Sequence, residues 1–245
     1  MQLAQASILL VEDEPVVCEI MSVWLQRAGS HVLTAANGAE ALELLAAHHV
    51  DLIISDLQMP VMDGITLLKR IHAGGGQCPV VIFITGYSNV APRDAYDMGA
   101  EALREKPIER DQLLETIKRS LMDRNSRWRT PMEPAPQAVL HAVFDSLASA
   151  LREQKIALGR GGFCIQSAQA LVEGPVRFMI EFREDRRCLQ GQGIVRWISP
   201  SDMQAGIEFM HVDDQSRPWA IELTEQNNRM EFIPRSVSTE RVATE

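Results

Sequence analysis

Residues 51–56 read DLIISD: an aspartate, three apolar residues, a serine and a second aspartate. So short an apolar run, closed by an acid, reads as a buried strand rather than a helix. It lies between AEALELLAAHH (39–49) and ITLLKRIH (65–72), both of helical period. Working outward, ILLV (8–11), HVLTA (31–35), VVIFIT (80–85) and 102–104 are further short strands. Helices are expected at 15–28, 92–98 and 109–123. Five strands alternating with five helices predict an α/β domain with a doubly wound five-stranded parallel sheet.

Ligands of such sheets bind outside the carboxyl ends of the strands. Glu12 and Asp13 end the first strand, Asp56 the third and Thr85 the fourth, while Lys106 follows the fifth. Transfer of a phosphoryl group to a carboxylate needs a nucleophilic oxygen, a divalent cation and a positive charge on the far side of the phosphate. Asp56 suits the first role. Glu12 and Asp13 beside it make an oxygen-rich site of the kind Mg2+ uses. Lys106 and the Thr85 hydroxyl suit the phosphoryl oxygens. Asp63 reads as a cap for the helix that follows it, and His48 and His49 as surface residues.

VEDE (11–14), SDLQMPVMDG (55–64), ITG (84–86) and GAEALREKP (99–107) resemble the receiver domain of two-component response regulators. The likeness covers residues 4–124 and implies a flavodoxin-like fold. It implies Asp56 as phosphoacceptor, with Thr85 and Lys106 completing the catalytic set. It also implies Mg2+ held by Glu12, Asp13, Asp56 and the Gln58 carbonyl, with Glu12 bound directly or through water. Lys106–Pro107 would be a cis bond, and the donor a histidine kinase or phosphotransfer protein. One departure is Leu103, where the resembled domains usually carry an aromatic ring.

The second half reads differently. Residues 125–137, rich in proline and without apolar periodicity, are expected to be a linker. Leu140, Phe144, Leu147 and Leu151 recur at spacings of 4, 3 and 4, which predicts an amphipathic helix over 138–155. Its seam suits either a homodimer through 138–154 or packing on the domain that follows. Residues 156–230 alternate as strands in IALGRGGFCIQS, VRFMIEFR, CLQGQGIVRWI and MQAGIEFM, with EDRR (184–187) as a turn and a last helix at 218–229. The tail, 231–245, is polar and expected to be flexible.

IALGRGGFCIQS, EGPVRFMIEF, GQGIVRWISP and MQAGIEFMHVDD resemble a PilZ domain, a small β-barrel with flanking helices. Members of that family that bind cyclic di-guanylate carry Arg-x-x-x-Arg before the barrel and an Asp/Asn-x-Ser-x-x-Gly turn. Here the turn keeps only Gly162, and the only Arg-x-x-x-Arg, Arg183 to Arg187, falls on the hairpin turn. Arg127, Arg129 and Arg160 are the remaining candidates for an anion site. The missing motifs argue against cyclic di-guanylate. The reading is a response regulator with a degenerate PilZ-like output that meets an unknown output protein; the alternative is a phosphorylation-gated cyclic di-guanylate effector in motility, attachment or biofilm control.

Charge and composition narrow the classes. The net charge is −9, and residues 126–245 hold 16 acids against 14 bases, so no nucleic-acid partner is expected. No apolar run approaches the ~18 residues of a membrane span, and no basic start precedes an apolar core, so a cytoplasmic protein without membrane insertion is expected. Cys18, Cys78, Cys164 and Cys188 show no metal or disulfide spacing. Nothing after residue 125 assembles a nucleophile with its base, so no output enzyme is expected.

Overall fold

The computed structural model describes residues 3–74, 78–86, 90–226 and 230–235. The chain divides into two compact units: residues 1–91 with 98–123, and residues 92–97 with 124–245.

The first unit runs β1 (Ser7–Val11), α1 (Pro15–Arg27), β2 (His31–Ala35), α2 (Gly38–Ala47), β3 (Leu52–Asp56), α3 (Gly64–Ala73) and β4 (Val80–Thr85). Next along the chain is α4 (Pro92–Asp97), which clusters with the second unit; β5 (Ala102–Glu105) and α5 (Arg110–Leu121) complete the first. The strands form one parallel sheet in the order β2-β1-β3-β4-β5. Every residue of β3 is buried, which is why DLIISD carries no polar alternation. Ile8, Leu10, Leu52, Ile54, Ile82 and Ile84 pack on Leu25, Leu113 and Ile117 from the helices.

Side-chain caps start the helices beside the pocket. The Asn37 side chain accepts from the Ala39 and Glu40 amides, and Asp63 accepts from the Thr66 amide at 2.6 Å. Gly64 starts α3 because a Cβ there would run into the Asp56 carbonyl and crowd Ser55 and Phe83.

The second unit holds α4, α6 (Arg124–Arg127), β6 (Ala138–Phe144), α7 (Leu147–Arg152), β7 (Ile156–Leu158), β8 (Gly162–Gln166), β9 (Gly174–Phe182), β10 (Arg187–Ser199), β11 (Gln204–Val212) and α8 (Arg217–Gln226). Its sheet is mixed, in the order β6-β9-β10-β11-β8-β7. It curls around one core in which Phe163, Phe178 and Phe209 meet at centroid distances of 5.3–5.6 Å, with Trp128 against Phe209 at 5.1 Å. Each such ring contributes ~1.5–3 kcal/mol by burial.

Four expectations for this half need correction. Residues 138–155 are not one helix: Ala138–Phe144 is a strand pairing parallel with β9, and a separate short helix follows. AVLHAVF satisfies a period of two as well as a heptad, and its β-branched valines favour the strand. Leu140 points to the core while Val139 and Val143 are exposed, and the Ser146 capping box then starts α7. The supposed dimer seam is thereby split, and Leu140, Phe144, Leu147 and Leu151 face their own core. The barrel is an open half-barrel with β6 and β7 as edges, since the extra strand β6 lengthens the sheet without closing it. Residues 125–137 are not a bare linker, since Arg127 and Trp128 are buried. Residues 231–235 are not loose tail either, because Phe232 and Ile233 are buried; residues 236–245 lie outside the described residues.

Candidate functional site

The parallel sheet carries the chemistry to one edge. Glu12 and Asp13 follow β1, Asp56 closes β3, Thr85 closes β4 and Lys106 follows β5. Adjacent register holds the last three together: Asp56 pairs with Ile84, Thr85 with Glu105, and the Lys106 amide donates to the Thr85 carbonyl at 2.8 Å. The Lys106–Pro107 bond is cis, as expected.

The Lys106 ammonium sits among the acids. Its Nζ lies 2.6 Å from Asp56 Oδ2, 2.9 Å from Glu12 Oε2 and 3.7 Å from Glu14 Oε1. Burial works against this ammonium, but hydrogen bonds and charge from Asp56 and Glu12 outweigh it and hold its pKa above the ordinary value. Glu12 is also raised, although an ion pair alone would lower it. Burial takes water from its carboxyl and Asp56 adds repulsion, and the lysine offsets these only in part. The pocket thus holds more negative charge than one ammonium answers.

A divalent cation fits that excess. Carboxylate oxygens of Glu12, Asp13 and Asp56 lie within 4.8 Å of one another, and hard oxygen donors suit Mg2+. The Gln58 amide donates to Asp56 Oδ1 at 3.1 Å, which fixes one carboxylate oxygen and puts the backbone of residue 58 at the pocket. Thr85 is buried at the same edge.

The sequence reading missed two supporting residues. Ser55 donates its hydroxyl to the Asp56 carbonyl at 2.7 Å, and Gly64 leaves room for that carbonyl. A signal for the glycine was present: it directly follows the capping Asp63. Of the candidate arginines in the second unit, Arg127 is spent on Glu208 at 3.2 Å. Arg160 donates from Nε to the Met230 carbonyl at 3.1 Å.

Comparison with known proteins agrees with this geometry. Residues 8–118 match the family model for the response regulator receiver domain. The chain is similar to the transcriptional regulatory protein CrdR of Helicobacter pylori, 33% identical over 138 residues, covering 56% of this chain and 62% of that protein. It is similar to the regulator of RpoS of Escherichia coli, 39% identical over 102 residues, covering 41% of this chain and 30% of that one. The DNA-binding transcriptional regulator NtrC of Escherichia coli is 30% identical over 166 residues, 67% of this chain and 34% of that protein. The chain therefore spans less than two thirds of the length of each of these relatives. A solved receiver domain of an HD domain-containing protein from Pseudomonas fluorescens is 31% identical, covering 48% of this chain and 94% of that one, with a TM-score of 0.45. No helix among the described residues is long and apolar enough to cross a membrane. With the acidic edge of the parallel sheet and the matching family model in agreement, residues 8–118 are a response regulator receiver domain.

Proposed function

We propose that the chain is a phosphorylation-controlled regulator in which Asp56 is the phosphoacceptor. The observation that carries this is the 2.6 Å contact of Lys106 with an Asp56 carboxylate that also borders Glu12 and Asp13. A receiver domain implies a phosphodonor such as a histidine kinase. One Asp56 oxygen would form the new O–P bond while the donor's bond to phosphorus breaks and the electron pair leaves with the donor. Lys106 would move its hydrogen bond from the carboxylate to a phosphoryl oxygen, and the buried Thr85 hydroxyl would take another. Glu12, Asp13, Asp56 and the Gln58 carbonyl would hold Mg2+, which offsets the charge gathered around phosphorus.

The strand-rich unit would act as a non-enzymatic output that meets another protein. Its near balance of 16 acids and 14 bases over residues 126–245 gives little attraction to a nucleic acid. The transcriptional roles in the names of CrdR and NtrC belong to those proteins. A PilZ-like ancestry remains the reading for this unit. The glycine turn where such domains take cyclic di-guanylate is covered here by the chain's own residues 230–232, which weighs against that ligand. Acetyl phosphate with Mg2+ should add one phosphoryl group to the chain and none to Asp56→Asn; equal labelling of both would remove the assignment.

A further inference from the structure

The mixed sheet of the second unit ends on two unlike edges, β6 and β7. A sheet edge is a row of unpaired amides and carbonyls on which another strand can form, and proteins blunt it with short strands, prolines or charges. β7 is three residues long and wholly buried. β6 is seven residues long, reads AVLHAVF, and holds no proline, glycine, lysine, arginine or acid. Val139 and Val143 stand 53% and 39% exposed, and the His141 side chain 43%.

The backbone of β6 has a defined direction. The Phe144 carbonyl accepts from the Arg183 amide at 3.1 Å, so the even-numbered residues turn their backbone groups toward β9. Val139, His141 and Val143 turn theirs away, to a side where no strand pairs with β6 among the described residues. On that side the His141 amide donates to the side-chain oxygen of Gln169 at 3.1 Å. Gln169 is exposed, and its primary amide has the hydrogen-bonding chemistry of a peptide group. It fills one place of a missing strand.

We propose that the free edge of β6 is the docking surface for β6 of a second copy of this chain, paired antiparallel about a two-fold axis at His141. The strand reads nearly the same in both directions about that residue: Val139 falls opposite Val143, and Leu140 opposite Ala142. The residues whose backbone faces outward then meet one another, His141 with His141 and each Val139 with a Val143, in the pairs that exchange both their bonds. Gln169 swings into water to make room. Charge fits the same register, because Arg177 of β9 lies beside Val139 and Glu181 beside Val143. Each row runs Arg177 and Val139 from one copy, then Val143 and Glu181 from the other, with opposite charges at its ends. Arg177 has no acidic partner among the described residues, while Glu181 holds His141 at 2.8 Å. The heptad leucines take no part, since they face their own core. One strand edge is smaller than a standard interface, so the dimer is weak, with a dissociation constant on the order of 10 µM.

The test is sedimentation of the full chain, without a phosphodonor, over a concentration series. Val143→Pro removes an amide that faces away from β9, so the sheet keeps its own bonds while the dimer loses two of its pairs. It should weaken association about tenfold or more and keep the thermal transition. Arg177→Glu sets like charges at the ends of each row and should also weaken association, and adding Glu181→Arg should restore it. The charge exchange separates a second copy from a foreign peptide and needs no change in β6 itself. A wild-type chain still monomeric at about 1 mM overturns the proposal. So does a dimer that both Val143→Pro and Arg177→Glu leave at wild-type strength.

Discussion

Lys106 Nζ donates to Asp56 Oδ2 at 2.6 Å across a sheet edge that joins residues fifty positions apart in the chain. The same nitrogen lies 2.9 Å from Glu12, so one ammonium answers two of the three carboxylates that border the candidate metal site. Lysine and a divalent cation therefore compete for the same negative charge.

That competition sets the first expectation. Lys106→Met should bind Mg2+ at least as tightly as wild type by calorimetry, because the ammonium no longer neutralises Glu12 and Asp56. Weaker Mg2+ binding in the variant would mean that the lysine supports the metal site rather than competing with it.

The buried ion pairs of the second unit make a separate test. Glu208 is held between Arg127 at 3.2 Å and Arg196 at 2.6 Å, with its side chain only 3% exposed. Burial opposes the Arg196 charge, yet Glu208 raises its pKa beyond the ordinary value. Glu208→Gln strands two guanidinium groups and should cost about 3–5 kcal/mol in chemical denaturation. A loss under 1 kcal/mol would show that the guanidinium groups find water instead.

Strand β6 gives opposite expectations for neighbouring positions. Leu140→Ala removes a fully buried side chain and should cost about 2–5 kcal/mol, while Val143→Thr, on the exposed face, should be nearly neutral. Similar losses at both positions would favour the helix that the heptad spacing suggested.

Thiol reactivity should follow burial. The Cys164 thiol is pushed up to about 12, first by burial and then by the neighbouring Asp97 charge, so almost no thiolate exists at pH 8. Burial also raises Cys18 and Cys188, whereas Cys78 is exposed. Alkylation at pH 8 with peptide mapping should modify Cys78 first and Cys164 last. Early loss of Cys164 would show that its cluster opens in solution.

The receiver half was legible because its central strands β1, β3 and β4 are short and almost wholly buried, and Glu12, Asp56 and Thr85 follow or close them. DLIISD leaves little choice of period, and a parallel sheet then brings Glu12, Asp56, Thr85 and Lys106 to one edge. The second half was harder for a physical reason. Apolar residues four apart at 140 and 144 fit both a helix and a strand, and only the partner strand β9 decides between them. Phe232 was hidden for the opposite reason: one aromatic residue in a polar tail shows no periodicity, and the glycines it packs on, Gly159 and Gly161, lie far earlier in the chain.

The central claim is that Asp56 carries the phosphoryl group, and borohydride reduction of the labelled protein tests it most directly. An aspartyl phosphate reduces to homoserine, so peptide mapping after treatment with acetyl phosphate and Mg2+ should place homoserine at position 56 alone. Homoserine at Asp13 or at another carboxylate, with Asp56 intact, would contradict the account.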